Sequence, residues 1–212
     1  MNGRVIAAAL WSVTLLSCHS LNAPSNKETS ALSSALPALV GKGNTATAPV
    51  PGNPPGELTN AERELYELLM RSRKEKGLPE IPVSKSLSLV AKLHVRDLET
   101  HTIPAQYNFH SWSSDGPWRS VNYTPDHRHA KLMWDKPREI TQYKGNGYEI
   151  AYMHLKSATP QSAFYGWKTS GSHKSVIFNE SDWGRLTWKA IGIGIYGRYA
   201  AVWFGEEPDP GT

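Results

Sequence analysis

The sequence predicts an α+β domain built on a small antiparallel sheet. Two amphipathic helical segments, each with its own start signal, lie between Leu58 and Glu99. Two strand-like runs, Lys189 to Tyr196 and Tyr199 to Gly205, are separated by Gly197-Arg198 and read as a hairpin. The chain holds 8 Trp and 9 Tyr. Nearly all lie in the last half, which can therefore build a core that the N-terminal quarter cannot.

At 212 residues the chain has room for one domain plus extensions. Its formal charge of +4 is dispersed, with no Lys/Arg block of the kind that tracks nucleic acid, so no nucleic-acid partner is expected. Residues 1–17 carry Arg4 and then an apolar run, Val5 to Leu16, too short to span a bilayer. The run ends Leu15-Leu16-Ser17-Cys18, which resembles a bacterial lipoprotein signal with Cys18 as the lipidated first residue. That pattern accounts for a secreted chain with one cysteine, and it excludes a disulfide within the domain. The alternative is a plain secretory signal. His19, rather than Asp, follows the cysteine. In a Gram-negative envelope this resemblance implies the outer membrane.

Residues 18–57 are rich in Ser, Ala, Pro, Asn, Thr and Gly and contain no aromatic residue. They read as a disordered tether. About 40 such residues span roughly 35 Å as a flexible coil.

The folded part is expected over residues 58–206. Thr59-Asn60-Ala61-Glu62 reads as a capping box with Leu58 as its hydrophobic staple. Leu65, Leu68 and Leu69 recur at helical spacing, and Gly77 stops the helix. A second helix begins at Ser84 and runs to about Glu99, with Leu87, Val90, Leu93, Val95 and Leu98 on a broad apolar face. His94 sits near that face and reads as a core or rim histidine.

Tyr107 to Tyr148 has neither helical nor strand period over most of its length. Its Trp112, Trp118, Trp134, Tyr123 and Tyr143 imply an ordered, aromatic-pinned excursion. Arg128 to Trp134 suits a short helix. Asp126-His127-Arg128-His129 reads as a locally hydrogen-bonded loop, because histidines at i and i+2 do not share a helical face.

Glu149 to Leu155 alternates as a strand. Thr159 and Pro160 then open a helix that ends near Ser170, with Gly171 placed as its stop and His173 projecting from the turn beyond. Ser170 reads as a residue that caps or orients this turn. No Gly-x-Ser-x-Gly elbow accompanies it, so a serine nucleophile is not indicated. Gly192 and Gly194 alternate with Ile191, Ile193 and Ile195. One face of that strand is bulky, while the other lets a neighbour pack very close. Residues 207–212 form a Pro-rich, acidic tail expected to fray.

Five pieces in this order resemble one family: Glu75-Lys76-Gly77-Leu78-Pro79, Phe109-His110-Ser111-Trp112, Gly147-Tyr148-Glu149-Ile150-Ala151, Trp167-Lys168-Thr169-Ser170-Gly171-Ser172-His173 and Ala190-Ile191-Gly192-Ile193-Gly194. The family is the CAP superfamily, or SCP domain, of cysteine-rich secretory proteins, antigen 5 and pathogenesis-related class 1 proteins. The resemblance implies an α-β-α sandwich around a small antiparallel sheet, with a cleft lined by two histidines and two acids. By match these are His110, Glu149 and His173, with Ser170 beside them. The second acid has no counterpart, and Ile150 stands where the family has Asn. The His110-to-Glu149 spacing implies an aromatic insertion at about residues 111–146.

Two histidines and a carboxylate suit a divalent metal such as zinc, with His110 and His173 as ligands and Glu149 as base or third ligand. That arrangement is what a metal-dependent hydrolase or protease would use. The family resemblance instead favours a lipid-anchored binding protein of the envelope, attached to the membrane through Cys18, whose cleft takes a lipid, glycan or protein partner. An adaptor without a small ligand is the third alternative.

Overall fold

A computed structural model describes residues 54–211. The proposed signal, Cys18 and most of the proposed tether lie outside the described residues. Among those described, no helix is long and apolar enough to cross a membrane.

Three antiparallel strands form the middle layer: β1 (Gly147–Met153), β2 (Ala190–Tyr196) and β3 (Tyr199–Gly205), in the order β1-β3-β2. β2 and β3 are the expected hairpin, with Gly197 in the left-handed region at φ 54°. The register pairs Ile193 with Val202 on β3, and Ile150 with the same Val202 from the other side. The period-2 alternation then sends these three side chains to one face. Glu149, opposite Trp203, goes to the other.

The first face is covered by α1 (Asn60–Glu75), α5 (Pro160–Thr169) and α6 (Gly171–Ile177). Leu65, Leu69, Phe164, Trp167, Val176 and Ile177 meet the strand isoleucines there in an apolar core. The expected capping box opens α1: the Glu62 N–H donates to Thr59 Oγ1 at 3.3 Å, and Thr59 N–H donates to Glu62 Oε2 at 2.8 Å. Gly77 follows the helix at φ 71°.

The second face is covered by α2 (Lys85–Thr100), N-capped by Ser84. The two strand glycines explain how closely it lies. A Cβ on Gly192 would sit 2.0 Å from the Leu87 carbonyl carbon, and one on Gly194 would sit 2.5 Å from that of Ala91. The helix backbone rests directly on the sheet, as the alternation implies. The result is the α-β-α sandwich expected from the sequence.

The excursion also packs on this second face, and it is ordered. Trp112, Val121, Tyr123, Met133 and Tyr143 are buried in one cluster with Val90, Val95 and Leu98 of α2. Trp112 and Val121 exchange backbone hydrogen bonds of 2.9 and 3.0 Å. Two short helices follow: α3 (Ala130–Trp134), inside the expected range, and α4 (Lys136–Ile140), which the sequence reading missed.

Two expectations are corrected. Gly171 does not stop α5 in a left-handed turn. The break falls at Ser170, in extended geometry at φ −91° and ψ 119°, and Gly171 opens α6. His173 therefore projects from the first turn of a helix, not from a turn beyond one. The described part of the tail, through residue 211, does not fray either. Asp209 is buried, accepting from Ser84 Oγ at 2.6 Å, Ser86 N–H at 2.8 Å and Ser86 Oγ at 2.8 Å. The acid binds at the start of α2, where the unpaired N–H groups and the helix dipole favour a negative charge. These contacts hold the Asp209 carboxyl below its ordinary range, against the opposing pull of burial.

Candidate functional site

Glu149 sits on β1, which among the described residues pairs only with β3 and has no strand on its other edge. Trp167 closes part of that edge by donating its indole N–H to the Ala151 carbonyl at 3.0 Å. This bond brings the α5–α6 junction alongside the strand. From the opposite face, α2 presents His94 and the excursion presents His110.

Both Glu149 oxygens are engaged by imidazoles. His110 Nδ1 donates to Oε2 at 2.7 Å, and His94 Nδ1 makes a still shorter contact with Oε1. His94 Nε2 faces the Ser111 carbonyl at 2.9 Å. Its two ring nitrogens thus face a carboxylate and a carbonyl. With Glu149 ionised, both must donate, which requires an imidazolium. The electrostatics agree. Burial pushes the Glu149 carboxyl up, but the His94 charge and the two imidazole hydrogen bonds outweigh it and hold it down at about 2. Burial pulls His94 down, but the Glu149 charge and hydrogen bond, with help from Ser111 and Asp97, raise it overall. Both directions favour an imidazolium at His94 and a carboxylate at Glu149. The His94 ring stacks on Trp112, 4.2 Å between centroids and 3° from parallel, an arrangement favourable to a cation.

His110 is fixed by its own turn. Its backbone N–H donates to Asn108 Oδ1 at 3.0 Å. Its ring meets Tyr123 edge to face at 5.3 Å, and the Tyr123 hydroxyl is 2.9 Å from His127 Nδ1. Burial, then the Glu149 charge, pushes the Tyr123 phenol up to about 12. Asp126 and His129 make the expected local bonds, to Thr124 and to the Asn122 carbonyl. His127 does more than the sequence implied, since through Tyr123 it joins the wall beside His110.

His173 Nδ1 lies 2.9 Å from Ser170 Oγ, which is itself 3.1 Å from Ser172 Oγ. Ser170 therefore orients His173 and makes no side-chain cap on α6. Burial, then the charge that His110 carries when protonated, pushes His173 down to about 4, so at neutral pH it is uncharged. A base that weak activates a serine poorly, which leaves Ser170 without a nucleophile's support.

Of the sequence-derived site residues, His110 and Glu149 bond directly, and Ser170 and His173 bond to each other. The residue missed was His94. Its helical position shows that it is buried, but no periodicity names a partner 55 positions away. Glu149 has both oxygens committed to imidazoles, and among the described residues no three His, Cys, Asp or Glu side chains are arranged to hold an ion.

No family model and no curated protein sequence matches the chain. The chain is similar to solved structures, among them three bacterial proteins. A cysteine-rich secretory protein from Staphylococcus aureus is 17% identical, with a TM-score of 0.45 over 70% of this chain and 39% of that one. An outer surface protein from Borrelia burgdorferi is 18% identical, with a TM-score of 0.47 over 70% and 96%. An extracellular protein containing an SCP domain from Bacillus anthracis is 17% identical, with a TM-score of 0.48 over 69% and 40%. The chain spans about two fifths of the first and third of these.

Proposed function

We propose that the chain is an extracytoplasmic, lipid-anchored binding domain of the CAP type. Cys18 carries the lipid, residues 18–57 form the tether, and the cleft along the open edge of β1 receives a lipid, glycan or protein partner of the envelope. One observation carries the choice of binding over hydrolysis: Glu149, the acid that faces His110, is spent as the counter-ion of His94 and His110. A carboxylate held at about 2 and bonded through both oxygens is a poor general base. It stiffens the cleft floor and orients His110, whose Nδ1 is occupied and whose ring is partly exposed.

The test is a binding screen of the full chain against lipid vesicles, glycans and envelope extracts, with a His110→Ala/His173→Ala variant alongside. Saturable binding lost in the variant, with its fold retained by circular dichroism, supports the reading. Hydrolysis of a bound compound that depends on Glu149 would replace it. Anchoring is tested separately by labelling cells with radioactive palmitate. The label should enter the native chain and be absent from Cys18→Ala.

A further inference from the structure

The two outer edges of the sheet are finished differently. Tyr196 and Tyr199 close the two-residue hairpin as a bonded pair, so β3 turns residues 199, 201, 203 and 205 toward β2 and residues 200, 202 and 204 toward β1. The odd-numbered residues of β1 and β2 then direct their main-chain N–H and C=O groups away from the sheet. On β2 each such N–H donates to a neighbour: Ile191 to the Pro82 carbonyl at 3.0 Å, Ile193 to Ser88 Oγ at 3.4 Å and Ile195 to Glu62 Oε1 at 3.2 Å. On β1 the Ala151 carbonyl accepts from Trp167. The N–H and C=O of Gly147 and Glu149 and the N–H of Ala151 have no partner among the described residues.

Solvent reaches this stretch. Glu149 is 7% exposed although its side chain is 0% exposed, so the exposure belongs to its main chain. A reachable row of unpaired N–H and C=O groups is a template for another strand. Trp167 restricts what can take the place. Its indole stands at the edge beside Ala151, so pairing is confined to the Gly147–Glu149 stretch. One flexible segment can bend away past the indole. The edge of a second copy carries the same obstruction and is held rigid by its own sheet.

We propose that the cleft takes a single extended peptide segment of a protein partner, which pairs with Gly147 and Glu149 as a fourth strand. Main-chain hydrogen bonds hold the segment. The peptide side chain level with Glu149 lies on the same face as Glu149, where the His110 ring is 20% exposed. The proposal rests on the reading of this cleft as the binding site and narrows its three ligand classes to one.

The probe is a heptapeptide library displayed on phage and panned against the full chain. Each captured sequence is remade with one N-methyl group at every position in turn. N-methylation deletes a single N–H, and in either strand direction only alternate peptide N–H groups face β1. Affinity should fall about tenfold at positions two apart and stay within about twofold between them. Bound peptide should also slow deuterium exchange of the Glu149 amide by about tenfold or more. Strand addition is overturned if no peptide is captured, or if the captured peptides show no alternation along the N-methyl series. Peptides without alternation that are lost in His110→Ala/His173→Ala leave the cleft reading standing. Peptides without alternation that the same variant retains, with the Glu149 amide unprotected, overturn the cleft reading as well.

Discussion

The two faces of the sheet are buried by different means. Beneath α1, α5 and α6, strand isoleucines meet leucine, phenylalanine and tryptophan, and the buried charges, Glu62 and Arg73, lie on α1 with backbone partners, the Ile195 N–H and the Ile177 carbonyl. Beneath α2 and the excursion, the burial includes His94, Glu149, Asp97 and Lys136. Each of these is partnered: Lys136 with Glu139 and the Arg119 carbonyl, Asp97 with Ser113, His94 with Glu149 and Ser111. The first face can lose a methyl group at modest cost. The second cannot lose one member of a pair without stranding the other.

The largest contrast is expected between Glu149→Gln and Ile193→Val. Removing the buried counter-ion should cost about 3–5 kcal/mol in urea unfolding, against roughly 0.5–1.5 kcal/mol for the methyl group. Equal costs would mean that the ion pair does not hold the second face. Gly192→Ala comes next. The added methyl meets the α2 backbone, which has no rotamer with which to yield, so the loss should reach about 3 kcal/mol by the same measurement.

The acid limb of a thermal-unfolding series gives a third separation. The depressed Glu149 carboxyl contributes stability that is present above the ordinary carboxylate range and is lost as pH falls toward about 2. His173, pushed down to about 4, costs stability as pH falls from 6.5 toward that value, because the unfolded chain takes up its proton first. His94 works in the opposite sense. Its raised value adds stability that is full below 6.5 and lost as pH climbs through the folded value. His173→Gln should therefore flatten the limb between 6.5 and 4 and leave the steeper loss below 4.5. An unchanged upper limb would assign it to another group. The smallest effect is expected at the edge of the second face, where Asp209→Ala removes a helix-start contact worth about 1 kcal/mol.

The first face was the more legible in the sequence. Its capping box, its isoleucine alternation and the hairpin are local patterns, and each appears as expected. The close approach of α2 was also legible, because Gly192 and Gly194 can be read without knowing what lies above them. The second face was not, since its pairs join residues far apart in the chain. His94 and Glu149 meet only after α2 docks on the sheet, and Asp209 finds Ser84 only after the hairpin is complete. The α5–α6 junction was misread for a different reason. A glycine after a helix signals a left-handed stop, but here the extended Ser170 makes the break and Gly171 starts the next helix.

The Asp209 contact also sets a clock. Ser84 and Asp209 are 125 positions apart, so a ribosome working at about 5–20 residues per second finishes α2 on the order of ten seconds before its anionic partner is made. Until then the start of that helix depends on Ser84 alone. Asp209 thus acts as a late fastener for the start of α2. A nascent chain of this protein should remain open to proteases and chaperones near Ser84 until Asp209 has been made.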